Sequence, residues 1–306
     1  MLRPERKNVL HALFAILLLM GFLISMGCDL TLGGDPIDGS DDSDDNNCSS
    51  VEVKRVSITS NGNQANNDSF EAALSSDGRF VAFESLATNL VLGDNNDRSD
   101  IFVHDRDTDE DGIFDEAGNI STARVSVASD GTQADNHSFL AAISSDGRFV
   151  AFESEANNLA ANDSNNRIDI FVHDRDTDED GIFDEPLAIS TERVSIASNG
   201  TQANDNSFAA AISSDGRFVA FESEATNLAA NDSNNRIDIF TRDRDAGITR
   251  RISLAFNCSE GDDSSFSAVI SADEQFVAFV SLAENLVNSD TNGSSDIFVT
   301  PNPLSP

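Results

Sequence analysis

One stretch of twelve residues occurs twice, unchanged: DRDTDEDGIFDE at positions 105–116 and again at 174–185. Each copy holds seven acids and one arginine. Oxygen ligands alternating along a turn, with glycine where the chain must bend sharply, are what Ca²⁺ requires. With Asp107 in first place, Asp109 is third, Asp111 fifth, Gly112 sixth and Asp115 ninth, and the Ile113 carbonyl falls seventh. The second copy offers Asp176, Asp178, Asp180 and Asp184, with Gly181 and Ile182 between them. The competing reading is a solvated acidic hairpin, its Asp and Gly serving turn geometry. Closely spaced carboxylates repel one another without a cation. The expected cofactor is therefore structural Ca²⁺, stiffening each loop.

The spacing resembles the D-x-D-x-D-G-x-x-D loops of thrombospondin type-3 and EF-hand-like repeats. It departs from the EF-hand at position twelve, where Gly118 and Leu187 stand in place of Glu. A water, or Glu116 and Glu185, has to fill that place. A second pattern, Asp-x-Asn-x-x-x-Asp, occurs four times, beginning at Asp94, Asp163, Asp232 and Asp290. Every repeat needs the same turn there, so an Asx turn is the reading and a metal site the alternative.

The remaining chemistry is sparse. His104 and His173 hold equivalent positions where later repeats have Arg242 and Thr300. That tolerance points to an exposed strand face, and no zinc spacing is present. No Gly-x-Ser-x-Gly elbow and no phosphate-cradling glycine loop occurs. With 54 Asp and Glu, carboxylate pairs abound, and the sequence singles none out. No catalytic residue is assigned. Cys48 and Cys258 fall at opposite ends of the expected sheet, about 20 Å apart for a six-residue strand, which leaves the linker as the route to a bond.

The loops are carried by an internal repeat. SSDGRFVAFES starts at Ser75, Ser144 and Ser213, and a degenerate copy, SADEQFVAFVS, starts at Ser271. Residues 141–171 and 210–240 differ only at Asn157 against Thr226. In the third unit Asp243-Arg244-Asp245-Ala246-Gly247 replaces the long loop. Each unit reads as four short strands: residues 138–144, an Asp-Gly turn, 148–154, 169–173 and 193–197. The second is apolar on both faces and suits a central strand. Four-stranded antiparallel units in series define a β-propeller. The fold class is thus all-β: a propeller of four four-stranded antiparallel blades. The segment Lys54-Arg55-Val56-Ser57-Ile58 is expected to complete the last sheet and close the ring as a monomer; a larger ring shared by two chains and an open array are the alternatives.

The Ser-x-Asp-Gly-Arg-x-Val-Ala-Phe motif resembles the Asp-Gly repeat of TolB-type propellers, over nearly all of residues 51–299. TolB itself is a periplasmic binding protein that contacts envelope partners. The resemblance implies a fold more than a function. This chain has four units rather than six.

Residues 1–28 read as an export segment, with Arg3, Arg6 and Lys7 ahead of an apolar run. Ser25-Met26-Gly27-Cys28 resembles the lipobox of bacterial lipoproteins, which implies lipidation at Cys28. A retained membrane anchor and simple cleavage are the other readings. Residues 29–50 carry seven Asp and read as an extended acidic tether. Residues 51–306 form the propeller. The net charge of −35 excludes nucleic acid as a partner. Contact with membrane is expected only through the N-terminal lipid or anchor. The sequence as a whole reads as an exported, non-enzymatic binding or scaffold protein of the cell envelope, its partner an envelope protein or surface polymer. A propeller-type hydrolase or lyase acting on an extracellular polymer, and a calcium-dependent adhesin, are the alternatives.

Overall fold

The computed structural model describes residues 52–305. The export segment, Cys28, the tether and Cys48 lie outside the described residues. Val53–Pro306 is one compact unit.

All regular structure among the described residues is strand. Blade 1 holds β1 (Ser69–Leu74), β2 (Phe80–Ser85), β3 (Asp100–Asp105) and β4 (Ser121–Arg124). Blade 2 holds β5 (Ser138–Ile143), β6 (Phe149–Ser154), β7 (Asp169–Asp174) and β8 (Ser190–Arg193). Blade 3 holds β9 (Ser207–Ile212), β10 (Phe218–Ser223), β11 (Asp238–Asp243) and β12 (Ile248–Arg251). Blade 4 holds β13 (Ser265–Ile270), β14 (Phe276–Ser281) and β15 (Asp296–Pro301). Each sheet runs in sequence order and is antiparallel throughout, the propeller arrangement.

The repeat motif explains its own turn. In blade 2, Ser144 Oγ donates to Asp146 Oδ1 at 2.5 Å, and Asp146 Oδ1 also accepts the Arg148 amide at 3.0 Å. Ser144 Oγ in turn accepts the Phe149 amide at 2.9 Å. Arg148 then forks onto Asp174 at the far end of β7, at 2.8 and 3.0 Å. Serine, aspartate, glycine and arginine thus close one hairpin and clamp it to the next strand.

Blades pack face to face. Phe80, Ala82, Ile101 and Val103 of blade 1 lie against Val150, Phe152 and Phe171 of blade 2. The same junction recurs between blades 2 and 3 and between blades 3 and 4. Strand β6 is buried on both faces, as its apolar pattern requires. Each innermost strand carries a bulge, at Glu71, Leu140, Ala209 and Ser267, all with positive φ. A carboxylate from the preceding blade holds two of these bulges. Glu153 accepts the Ala209 amide and Glu222 the Ser267 amide, both at 2.7 Å.

Burial pushes the Glu222 carboxyl up to about 7, against the partial relief of that amide. A carboxyl raised in the folded state contributes stability below its unfolded value and loses it as pH rises through the folded value. Thermal melts should therefore show Glu222→Gln flattening the stability loss between pH 4.5 and 7 by about 3 kcal/mol. Parallel profiles for the two proteins would contradict the assignment.

Three expectations need correction. The closing strand does not form. Residues 52–56 lie outside any strand, Ile58 makes a single bridge to Gln64, and the fourth sheet has three strands. The turn that follows it, in which the Thr59 amide donates to the Asn63 carbonyl and the Ala65 amide to the Ser57 carbonyl, is the one that follows the outer strands of blades 1 to 3, so what the segment lacks is a neighbouring third strand to pair with. The outer strand of blade 2 is Ser190–Arg193, beginning three residues before the expected 193–197. Past Arg193 the chain leaves the ladder, because Ser195 turns inward to Asp169 and to the Ile170 amide. His104 and His173 are buried rather than exposed. Each ring Nδ1 sits 2.8 Å from a threonine hydroxyl of the outer strand, Thr122 or Thr191, and Arg242 reaches Thr249 from the same place. Burial pulls His173 down to about 4, so it stays neutral at physiological pH. In the three four-stranded blades, what looked like tolerance is a buried position whose constant requirement is a polar tip facing threonine; Thr300, with no outer strand beside it, is free of that requirement.

Candidate metal loops

The long loops leave β3 and β7 at their buried ends. Asp105 Oδ1 accepts the Asp107 amide at 3.0 Å, so the loop starts from a fixed carboxylate. Asp107 is itself buried and caps the turn, accepting the Asp111 amide at 3.2 Å and the Gly112 amide at 2.9 Å. Asp111 accepts the Ile113 amide at 2.8 Å. Positive φ at Glu110 and Gly112 bends the chain so that alternate carboxylates converge. Oxygens of Asp107, Asp109 and Asp111 come within 4.8 Å of one another, and so do those of Asp176, Asp178 and Asp180.

The ninth-place residues do not join them. Asp115 takes a two-pronged bond from Arg106 at 2.9 and 2.6 Å, and Asp184 is held in the same way by Arg175. The arginine beside it holds the Asp115 carboxyl below the usual range. Arg106 and Arg175 also donate to the carbonyls of Gly78 and Gly147 in the hairpin turns. Asp115 and Asp184 therefore fasten the loop to its own blade. The sequence pattern gave no sign of this, since arginine lies one residue ahead of the ligand series and its direction is set by the fold. Glu110 and Glu179 are likewise drawn off, to Arg79 and Arg148.

Three aspartates converge in each loop, and Glu116 and Glu185 are not among them. A carboxylate oxygen has two lone pairs, so one amide bond leaves the other free for a cation. Desolvation, with the charges of Asp111 and Asp107 beside it, raises the Asp109 carboxyl, and Asp178 is raised in the same manner. A divalent cation would relieve that repulsion. Clustered carboxylate oxygens are donors of the kind Ca²⁺ takes, and other oxygens would have to complete its shell.

The Asp-x-Asn-x-x-x-Asp segments do turn work. Asn165 Oδ1 accepts the Arg167 amide at 3.0 Å, and its Nδ2 donates to Asp169 at 2.8 Å and to the Ala203 carbonyl at 3.1 Å. Both aspartates face Arg193, at 2.8 Å from Asp163 and 3.4 Å from Asp169. Arg124 and Arg251 repeat the arrangement. These buried ion pairs tie the outer strand to the loop before the third strand.

The innermost strands of all four blades line a space of about 250 Å³. Its walls are mostly alanine, and Glu71 is the one ionisable lining residue. Cys258 is an exposed free thiol.

No family model matches the chain, and no curated protein matches it. Solved structures do. TolB from Acinetobacter baumannii is similar at 14% identity and a TM-score of 0.40, over 77% of this chain and 41% of that one. A putative TolB from Agrobacterium tumefaciens is similar at 14% identity and a TM-score of 0.40, over 78% of this chain and 60% of that one. The Cps50 (Swd1) β-propeller domain of Myceliophteria thermophila is similar at 11% identity and a TM-score of 0.35, over 76% and 50%. The chain spans 41% and 60% of the two TolB chains it matches. The likeness concerns the fold alone, the β-propeller class that the sheets of this chain define.

Proposed function

We propose that the chain is a non-enzymatic binding or scaffold protein of the cell envelope, built on a β-propeller whose two long loops are stiffened by structural Ca²⁺. The observation that carries this reading is the pair of identical carboxylate clusters, Asp107–Asp109–Asp111 and Asp176–Asp178–Asp180, each closing within 4.8 Å. An axial space walled mainly by alanine supports a scaffold rather than an acid–base centre. The export pattern of residues 1–28 supports an envelope address, with Cys28 as the lipidated residue. The partner is an envelope protein or a surface polymer.

With Asp115 and Asp184 withdrawn, each site has fewer protein ligands than a full EF-hand loop. The affinity should lie near the weak extracellular range, a Kd of about 0.1–1 mM. Calorimetric titration of Ca²⁺ into the chelator-treated protein should show two sites per chain. Asp111→Asn and Asp180→Asn should each remove one. No heat at millimolar Ca²⁺ would overturn the metal reading.

A further inference from the structure

Blade 4 presents bare the face that the other blades bury. Ile101, Ile170 and Ile239 are 0% exposed, whereas their counterpart Ile297 is 62% exposed. Val103 and Val172 are 1% exposed, against 65% for Val299. Val269 and Phe276 lie on the same sheet face, 58% and 46% exposed. In blades 1 to 3 this face is covered by the back of the following blade.

The matching back face belongs to blade 1. Blade 2 covers its neighbour with Ala141, Ile143, Val150 and Phe152. Blade 1 holds Ala72, Leu74, Val81 and Phe83 at the same repeat positions; Val81 and Phe83 are already buried, and Leu74, 59% exposed, is the large one left open. The turn glycines tell the same story. A Cβ on Gly147 would lie 2.1 Å from the Phe80 ring of the preceding blade, and one on Gly216 would lie 2.1 Å from Phe149. Gly78 meets only Leu74, Arg106 and Phe114 of its own blade. Arg175 stacks on the preceding Phe80 as well as on Phe183 of its own loop, and Arg244 on the preceding Phe149, while Arg106 stacks on Phe114 of its own loop without a phenylalanine from a preceding blade. Gly78 and Arg106 are therefore set to receive a phenylalanine in the place of Phe276.

The polar half of the junction is divided the same way. In the first three blades, Arg-Val-Ser or Arg-Ile-Ser after the outer strand supplies an arginine and a hydroxyl to a buried aspartate pair. The instances are Arg124 with Ser126, Arg193 with Ser195 and Arg251 with Ser253. Blade 4 has Asp290 and Asp296, and among the described residues neither has an arginine partner. The matching Arg55-Val56-Ser57 stands ahead of blade 1, where Arg55 donates to Gln64 at 2.7 Å. The residues just after it already sit as the tail of a preceding blade. Thr122 Oγ1 donates to the Ile58 carbonyl, and its amide donates to Ser60 Oγ. Thr191 repeats those two contacts with Val127 and Ser129. Yet blade 4 of the same chain is not the blade placed there. β1 packs on β5, β5 on β9 and β9 on β13, with no comparable packing from β13 back to β1.

We infer that two copies of this chain close one eight-bladed ring, blade 4 of each receiving residues 52–57 and the back of blade 1 from the other. The interface is the junction the chain already uses between its own blades, with an added edge strand on β15. Two copies give eight blades, inside the usual range of four to eight; three would give twelve. Both interfaces are identical and head-to-tail, and a two-fold rotation closes them.

Sedimentation equilibrium on the full chain at about 0.15 M salt tests this, with screening holding down repulsion between two acidic copies. The expected mass is twice the 32.7 kDa of one chain. Ile297→Asp and Val299→Asp change side chains already exposed in the single chain, so unchanged circular dichroism should accompany at least 100-fold weaker association, with melting lowered only by the lost association. Arg55→Glu, at the other end of the interface, should weaken it as well. Mixing Ile297→Asp with Arg55→Glu should restore pairing through the one intact junction, which requires that blade 4 of one copy meet the Arg55 segment of the other. A monomer at all concentrations, an assembly of another size, or a dimer indifferent to these substitutions would overturn the inference. Calcium binding by the loops stands or falls separately.

Discussion

Replacing Arg193 with methionine is expected to cost about 3–5 kcal/mol of unfolding free energy, read from denaturant melts. Arg193 is the counter-charge for two buried carboxylates, 2.8 Å from Asp163 and 3.4 Å from Asp169. Burial already raises both carboxyls, with Arg193 opposing it. Without the guanidinium, both must ionise unpaired in the core or take up protons. Their folded values rise further, so the loss should be largest at neutral pH and shrink as acid protonates them. Arg193→Met combined with Asp169→Asn should recover part of the loss, because one uncompensated charge is gone. A change below about 1 kcal/mol, independent of pH, would mean that these groups are solvated as ordinary surface pairs are.

Gly147→Ala is expected to be nearly as damaging, about 3 kcal/mol, through two additive causes. The residue has φ +79, where an L side chain costs roughly 1 kcal/mol. The new methyl would also lie 2.1 Å from Phe80 Cδ2. The ring has little room to retreat. It lies edge-on to Phe183 at 5.0 Å and under the Arg175 guanidinium at 4.9 Å. Overpacking of a filled site of this kind costs roughly 1–3 kcal/mol. Gly131→Ala is the control, with φ +82 and no atom within 4 Å of the added methyl, so only the conformational part should appear. Equal losses at the two sites, read from thermal melts, would show that the blade 1–blade 2 junction is loose.

Much of the propeller could be read from residues with a local job. Ser144, Asp146, Gly147 and Arg148 state their turn in the sequence because all four act within one hairpin and the strand beside it. The carboxylates of Asp107, Asp109 and Asp111 were legible for the same reason, as alternation along one turn. What escaped was set by contacts distant in the chain or by competition. Asp115 matches the ligand spacing but lies beside Arg106, and an arginine fork outbids a spacing rule. His104 and His173 looked variable because the constant partner, a threonine hydroxyl, lies 18 residues further on. The meeting of the two ends was illegible because a repeat states what covers a blade without stating which copy supplies it. Lys54 to Ile58 has the residues of a closing strand and is followed by the same turn and bridge as the outer strands of blades 1 to 3, yet the third strand it was expected to join, β15, does not lie beside it.

The most direct test of the calcium-stiffened scaffold is a native mass spectrum of the protein sprayed from Ca²⁺-containing buffer. Two bound Ca²⁺ ions per chain are expected, falling to one in Asp180→Asn and to none when Asp111→Asn is added. A chain that flies free of metal at millimolar Ca²⁺, or keeps both ions in the double variant, would contradict the account.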